Sequence, residues 1–348
     1  MAFVFSLVTF VIMDEPKFSF VIPVYNRPNE IKELLGSFLK LEGDLPFEIV
    51  IVEDGSTDTS EKVISDFNTV LNISYFYKTN SGPGDSRNFG MQRAKGNYYV
   101  ILDSDVILPS SYLITVKTFL EERYYHCFGG PDAAHPSFST FQKAINFAMT
   151  SFLTTGGIRG ANEQLEDFQP RSFNMGISKE AFQKSGGFGR IHPGEDPDLS
   201  LRLIKLGYKT ALIKDAFVYH KRRISWMKFY KQVYKFGLVR PILNIWHPDS
   251  KKVLYYLPTL FSIGLCLALA LLFFSVFWPM ACYGFYYVLV FVLATVSAQS
   301  ISVGLQSMVA ITIQFFGYGY GFLKSTLQIG VLKKDPEKEF PQLFFNQL

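Results

Sequence analysis

What this 348-residue chain lacks is most telling near its end: from Val253 to Leu323, 71 residues pass without one Asp, Glu, Lys, Arg or His. A soluble fold rarely goes so long without charge, and a spanning helix needs only about 20 apolar residues. Cysteine is scarce. Cys127, Cys266 and Cys282 are odd in number and unrelated in spacing, which excludes a disulfide framework or zinc cluster and points to a reducing compartment. Charged residues make up 18% of the chain against 48% hydrophobic and 16% aromatic, the reverse of a disordered protein. The formal net charge of +4 is too small to imply nucleic acid as a partner.

The uncharged stretch divides into three. Spans are predicted near Leu257 to Trp278 and from Ala281 to Ala298, with Pro279 as the break. Both are apolar all round, as lipid exposure demands. The third part, Ile301 to Leu323, differs: Ser300, Ser307 and Gln314 recur every seven residues, with Gln299 and Gln306 beside them, making a polar stripe. Lys251 and Lys252 precede the region, and Lys324, Lys333 and Lys334 follow it. With both ends at the cytoplasmic face, the positive-inside rule favours two spans plus an interfacial or re-entrant segment; three spans are the alternative. At the other end, Ala2 to Ile12 is apolar, too short to span, and without the basic region or cleavage site of a signal peptide. It is either a functional segment or lies upstream of a true start at Met13.

Between these ends the pattern alternates. Short apolar runs at Phe18–Val24, Phe47–Val52, Ile73–Tyr77 and Tyr98–Leu102 read as buried strands. Helical spacing falls between them, at Asn29–Leu41, Thr59–Phe67 and Asp85–Ala94. Strand alternating with helix predicts an α/β domain, a mostly parallel Rossmann-like sheet covered on both faces. Asn26, Asp54, Asp103 and Asp105 cluster just past strand ends, the edge where such sheets bind ligands.

Asp103-Ser104-Asp105 ends an apolar strand. Two carboxylates on one side of an extended chain repel, and a hard cation such as Mg²⁺ or Mn²⁺ relieves that repulsion and bridges to a diphosphate. A solvated turn is the ordinary alternative. Asp54, in Glu-Asp-Gly-Ser, suits hydrogen bonds to a base or ribose, or is simply an Asp-Gly turn. Arg87, after Gly82-Pro83-Gly84, suits a phosphate or base carbonyl, or a surface ion pair. Gly194-Glu195-Asp196-Pro197-Asp198 opens a helical pattern; Asp198 reads as a cap, while Glu195 and Asp196 are expected in the loop before it, where a carboxylate serves as a general base. His220 ends the apolar run from Ala216 and is either structural or a further metal ligand. His126, His135, His192 and His247 show no partner pattern.

The order of motifs is specific: Val-Ile-Pro-Val-Tyr-Asn-Arg, Glu-Asp-Gly-Ser-Thr-Asp, Ser-Arg-Asn-Phe-Gly, Leu-Asp-Ser-Asp, Asn-Met-Gly-Ile with Gly-Gly-Phe, and Glu-Asp-Pro-Asp-Leu-Ser-Leu-Arg-Leu. Over about Lys17 to Arg240 the chain resembles a family 2 glycosyltransferase. The resemblance implies the GT-A nucleotide-diphospho-sugar transferase fold followed by C-terminal transmembrane helices. It implies inverting transfer from a nucleotide sugar, usually a UDP-sugar, with a divalent metal. By the same resemblance, Pro23, Tyr25 and Asp54 hold the base, Arg87 helps hold the nucleotide, and Asp103 contacts ribose or sugar. Asp105 binds the metal, with His220 closing that site. Asp196 is the catalytic base, and Glu195 stands beside the acceptor. Processive synthases of the family carry Gln-x-x-Arg-Trp; here Gln232-Val-Tyr-Lys235-Phe236 stands instead, which favours adding one sugar at a time.

Lys221 to Arg240 carries seven basic residues and no acidic one, with Trp226, Phe229, Tyr230, Val233 and Gly237 on one helical face and Lys228, Lys231 and Lys235 on another. That suits an anionic membrane surface, or a helix packed under the catalytic domain. The expected organisation is an apolar extension (1–16), a catalytic domain (17–220), a basic interfacial segment (221–252), a membrane region (253–323) and a tail (324–348). The expected enzyme sits on the cell (inner) membrane with its catalytic domain cytoplasmic, and extends a lipid-linked or cell-surface glycan in polysaccharide biosynthesis. The alternative is a polyprenyl-phosphate sugar synthase, against which Val106-Ile-Leu-Pro109 after the acidic motif counts.

Overall fold

The computed structural model describes residues 15–133, 138–155, 168–220 and 225–345. Ala2 to Ile12, Met13 and Lys221 to Arg223 lie outside the described residues. The strands are β1 (Phe18–Val24), β2 (Phe47–Asp54), β3 (Ile73–Lys78), β4 (Tyr98–Leu102), β5 (Val106–Ile107), β6 (Cys127–Gly129), β7 (Asp132–Ala133), β8 (Asn174–Ser178), β9 (Thr210–Leu212) and β10 (Val218–His220). Seven form the main sheet in the order β3-β2-β1-β4-β8-β6-β9. β1, β2, β3 and β4 are parallel, and β6 is parallel to β9; β8 enters antiparallel between β4 and β6. A Rossmann-like, mostly parallel sheet is therefore observed as expected.

The helices of this domain are α1 (Pro28–Phe38), α2 (Glu61–Ser65), α3 (Pro83–Arg93), α4 (Tyr112–Glu122), α5 (Thr140–Thr150), α6 (Phe152–Thr155), α7 (Lys179–Ser185) and α8 (Glu195–Lys205). Side chains alternate across a strand, so each strand feeds two cores. Phe20, Ile22, Ile49, Ile51, Val100 and Leu102 pack one face with Leu34 and Leu35 of α1 and Val116 of α4. Val21, Val50, Val52 and Ile101 pack the other with Met91 of α3 and Leu199 and Leu203 of α8. Each such side chain contributes about 1.5–3 kcal/mol on burial, so the sheet is anchored from both faces and its carboxyl edge is a fixed platform. α1 begins on Pro28, whose missing N–H costs nothing in a first turn, and buries Ile31, Leu34, Leu35 and Phe38 at helical spacing.

The chain then forms α9 (Trp226–Trp246), α10 (Leu257–Leu272), α11 (Trp278–Ala298) and α12 (Ile301–Ser325). α11, and α12 with its continuation to Val331, are long and apolar enough to cross a membrane; α10, of 16 residues, is shorter. At 1.5 Å per residue α10 reaches roughly 24 Å, under the roughly 30 Å of a bilayer core. Pro279 does not end the preceding helix as expected: it sits in the first turn of α11, and the break falls at 273–277. The third stretch, expected to be interfacial or re-entrant, is the longest helix of the three. Its polar stripe is used internally. Ser300 caps the helix by accepting from the Val303 N–H, Gln306 donates to Thr140 of α5 at 3.0 Å, and Ser307 is fully buried.

α9 packs along α12 through glycines. A Cβ at Gly237 would strike the Tyr318 carbonyl, and one at Gly321 the Tyr234 carbonyl. Phe229 and Val233 of α9 share a buried cluster with Ile311 and Phe315 of α12, while Lys228 and Lys231 stay exposed. The apolar face expected to meet lipid thus meets α12. The other side of α9 lies against the α/β domain: Val239 fills the space where Gly194 would carry a Cβ, and Nε2 of His247 is 2.9 Å from Oδ1 of Asp198.

Candidate active site

Every predicted polar group at the sheet edge has a specific partner. Asn26, at a positive φ of 53°, accepts on Oδ1 from the N–H groups of Thr57 (2.9 Å) and Asp58 (3.0 Å), tying the end of β1 to the loop after β2. Pro23 is partly exposed near the end of β1, and the Tyr25 ring is 54% exposed, open to stack on a planar group. Asp54 is buried. Its carboxylate accepts from the N–H groups of Ser81 and Gly82, each at 2.9 Å, and from Lys78 Nζ at 3.1 Å. Three donors are already spent on it, so Asp54 fixes the loop that opens α3.

That loop aims Arg87 across the site. The guanidinium is buried and bridges two elements: Nη2 donates to Asp103 at 2.8 Å and Nη1 to Glu195 at 3.0 Å. The two acidic residues that end β4 therefore diverge. Asp103 turns to Arg87, and Asp105 forms an ion pair with Arg27, which no sequence signal had assigned a role. A second sheet, of order β5-β10-β7, places the backbone of His220 opposite Val106, next to Asp105; the His220 side chain lies outside the described residues.

Glu195 and Asp196 are not in a loop: they are the first two residues of α8. Gly194 precedes them at φ 125°, a conformation open to glycine, and Val239 leaves no room there for a Cβ. Burial alone would raise the Glu195 carboxyl, but His192, with Nδ1 at 2.9 Å, and Arg87 overrule it and hold the carboxyl well below its ordinary range. Asp196 goes the other way. Burial and the Glu195 charge push it above the aspartate range, against Arg87 and Arg171. Its Oδ1 is buried without a hydrogen-bond partner. A carboxylate of raised pKa with an unused oxygen is suited to take a proton.

His192 is a participant the sequence reading missed, although its place three residues before Glu195 was the available signal. Asp198 lies in the first turn of α8, as expected of an acidic residue at a helix start, and also pairs with Arg202 at 2.9 Å and with His247. The C-terminal tail also reaches this region. Phe345 lies over Gly82, its N–H donates to the Arg190 carbonyl at 3.0 Å, and its ring sits 5.9 Å from that of His192.

Among the described residues, no group of three or more His, Cys, Asp or Glu side chains gathers as a metal site. The donors present still fit a hard divalent ion. Mg²⁺ and Mn²⁺ are commonly held by one or two carboxylates together with substrate phosphates, and the Arg27 guanidinium on Asp105 marks that carboxylate as one that takes positive charge.

The model of glycosyl transferase family 2 matches residues 19–186. An uncharacterized glycosyltransferase of Rickettsia conorii is 36% identical over 114 residues, 33% of this chain and 19% of the relative. The poly(ribitol-phosphate) beta-N-acetylglucosaminyltransferase TarS of Staphylococcus aureus is 34% identical over 113 residues, 31% of this chain and 19% of TarS. The chain thus spans about a fifth of the length of these relatives. The mannosyltransferase PcManGT of Pyrobaculum calidifontis, solved with GDP-Man and Mn²⁺, shares the fold at a TM-score of 0.53 and 16% identity, over 92% of this chain and 88% of that one.

Proposed function

We propose that this chain carries a family 2 glycosyltransferase domain and is a membrane-anchored inverting enzyme, a reading supported by the match to glycosyl transferase family 2 and the fold shared with PcManGT. It moves one sugar at a time from a nucleotide sugar, a UDP-sugar first, to a lipid-linked or cell-surface glycan. The observation that carries the mechanism is Asp196, with its buried, unpartnered Oδ1 and raised pKa. Asp196 removes the acceptor hydroxyl proton as that oxygen attacks the anomeric carbon. The bond from this carbon to the diphosphate breaks on the opposite face, so configuration inverts and a nucleoside diphosphate leaves. A positioned base contributes about 10²–10⁴-fold.

The remaining residues position the partners. Tyr25 and Pro23 face the base and Asp54 braces the loop beneath it. Arg87, oriented by Asp103 and Glu195, meets the nucleotide. Held by Asp105 and His220, Mn²⁺ or Mg²⁺ would neutralise charge growing on the departing diphosphate.

Membrane anchoring is supported by α11 and α12 and by the aromatic turn between α10 and α11, where Phe273 is 90%, Phe274 76% and Trp278 71% exposed. An apolar surface of this extent seeks lipid. The lysines flanking the region support a topology with its two ends, and the catalytic domain with them, at the cytoplasmic face.

The test incubates detergent-purified protein with a panel of nucleotide sugars and Mn²⁺, with and without total membrane lipid extract, and follows nucleotide release. Release from one donor, stimulated by lipid and lost in Asp105→Ala and Asp196→Ala, supports the reading. A protein that releases nothing and binds no nucleoside diphosphate by calorimetry overturns it.

A further inference from the structure

The segment that follows α12 returns to the start of α8. A short helix, α13 (Pro336–Glu339), is capped by Asp335, which accepts from the N–H groups of Glu337 and Lys338. A 3₁₀ turn (Pro341–Leu343) then leads to Phe344 and Phe345. Phe340 and Leu343 are fully buried in one cluster with Ile191, in the loop before α8, and with Leu238, Ile242 and Leu243 of α9. The backbones pair as well. The N–H of His192 donates to the Leu343 carbonyl at 2.7 Å, Ile191 and Phe344 form an antiparallel bridge, and the N–H of Phe345 donates to the Arg190 carbonyl at 3.0 Å. Arg190 and Glu337 add an ion pair, but their side chains are 39% and 48% exposed, so it contributes little. The buried side chains and the backbone bonds hold the segment in place.

What the segment holds is His192. Its Nδ1 lies 2.9 Å from Oε1 of Glu195, the same oxygen that accepts from Arg87 at 3.0 Å. A carboxylate only accepts, so Nδ1 carries the proton in this bond. The Glu195 side chain is 5% exposed, but that of His192 is 38% exposed and would turn freely unless restrained. Its backbone is pinned by Leu343. Its ring faces that of Phe345, which covers Gly82 so closely that a Cβ there would strike it. The charged groups around this corner are Glu195 and Asp196 of α8, Asp85 and Arg87 of α3, Arg190 of the same loop, and Arg171 within electrostatic reach of the pair.

We infer that the segment from Phe340 to Phe345 is a strap that fixes His192 on Glu195, making His192 a positioning residue for the carboxylate pair at the start of α8. This deepens the proposed function and rests on it for the role of Asp196. Asp196 is raised by burial first and by the Glu195 charge second, so a Glu195 held in place keeps that charge beside the proposed base.

The test uses the full-length protein in neutral detergent. It reads nucleotide release, nucleoside diphosphate binding by calorimetry, and backbone hydrogen exchange by mass spectrometry. His192→Ala should lower kcat about tenfold, as expected for loss of one hydrogen bond to a charged group, with nucleoside diphosphate affinity unchanged. His192→Asn, whose side-chain amide donates from near the place of Nδ1, should restore most of the loss. Leu343→Ala and Phe345→Ala should each quicken exchange in the peptide Arg190–Glu195 and lower kcat about threefold or more. Neither should lower it further when added to His192→Ala, because residues acting through one contact are not additive. Four results overturn the inference: His192→Ala turning over like the parent, His192→Asn doing no better than His192→Ala, losses that multiply in both double variants, or exchange at Arg190–Glu195 unchanged in both strap variants. Loss of nucleoside diphosphate binding in His192→Ala also overturns it, by making His192 part of the donor site or the fold. A parent that neither releases nucleotide nor binds nucleoside diphosphate sinks the glycosyltransferase reading instead. Quickened exchange at Arg190–Glu195 in the strap variants then still supports the strap, and unchanged exchange still overturns it.

Discussion

Glu195 and Asp196, neighbours in the chain and in the first turn of α8, are driven to opposite acidities by their surroundings. Glu195 is stabilised as the anion by His192 and Arg87, whereas Asp196 is destabilised as the anion by burial and by Glu195 itself. One carboxylate is held as a charge and the other is biased toward taking a proton, the difference on which the proposed role of Asp196 rests.

The pH dependence follows. On the proposed reading Asp196, pushed above the ordinary aspartate range by burial and by the Glu195 charge, acts as base only when ionised, so kcat/KM for nucleotide release should fall as pH drops through a midpoint above the ordinary aspartate range near 4. Asp196→Asn should lower kcat by about 10²–10⁴-fold with nucleotide binding retained. An acid limb still near 4, or an Asn variant within tenfold of the parent, would remove Asp196 from the role.

Arg87 is the piece whose loss should be felt in stability as well as turnover. Arg87→Ala leaves Glu195, 4% exposed, without its guanidinium partner. Breaking a buried pair from one side costs about 3–5 kcal/mol, which at roughly 2–4 °C per kcal/mol lowers the melting midpoint by about 6–20 °C. Arg87→Lys keeps the charge but has no fork to span Asp103 and Glu195, so an intermediate loss is expected. Differential scanning calorimetry decides; an Ala variant that melts with the parent would mean the bridge carries no stability.

On the proposed reading, Arg27 and a divalent ion compete for Asp105. The Arg27 side chain is 30% exposed, so the pair is worth at most about 1 kcal/mol, and Arg27→Gln should lower the half-saturating Mn²⁺ concentration by up to about fivefold in a Mn²⁺-dependent nucleotide-binding assay. Asp105→Ala should abolish the Mn²⁺ dependence, and a chelator should reproduce that loss in the parent. An unchanged Mn²⁺ midpoint in Arg27→Gln would show that the guanidinium does not contend for the carboxylate.

The parts of this architecture legible in the sequence are those with a periodic or local cause. β1 and β4 fall where their apolar runs predict, and β2 and β3 extend one or two residues further. Asp54, Arg87, Asp103, Asp105, Glu195 and Asp196 do meet around one sheet edge, because strand ends and helix starts are signalled locally. What escaped depends on contacts distant in the chain. The pairing of Arg27 with Asp105 joins residues 78 apart, and that of His247 with Asp198 residues 49 apart. The antiparallel entry of β8 between β4 and β6 is likewise set by tertiary pairing that no local pattern encodes. The uncharged region announced itself by composition alone, but composition does not give helix limits, so the first span was drawn too long and α12 too modestly.

The same region supplies a test of which neighbour α9 belongs to. Its glycine-lined face lies on α12, while Val239 and His247 hold it to the start of α8. Gly321→Val adds bulk from the α12 side, against the Tyr234 carbonyl, where only a shift of the helices makes room. Overpacking of this kind costs about 1–3 kcal/mol, so the detergent-solubilised protein should melt at a lower temperature. Nucleotide affinity should stay at the parent's value, because the contacts from α9 to Gly194 and Asp198 are untouched. If affinity falls along with the melting temperature, then α12 positions α8 through α9, and the apolar helices are part of the catalytic scaffold rather than only its attachment. If neither changes, the close approach of α9 and α12 is not a feature of the protein in solution.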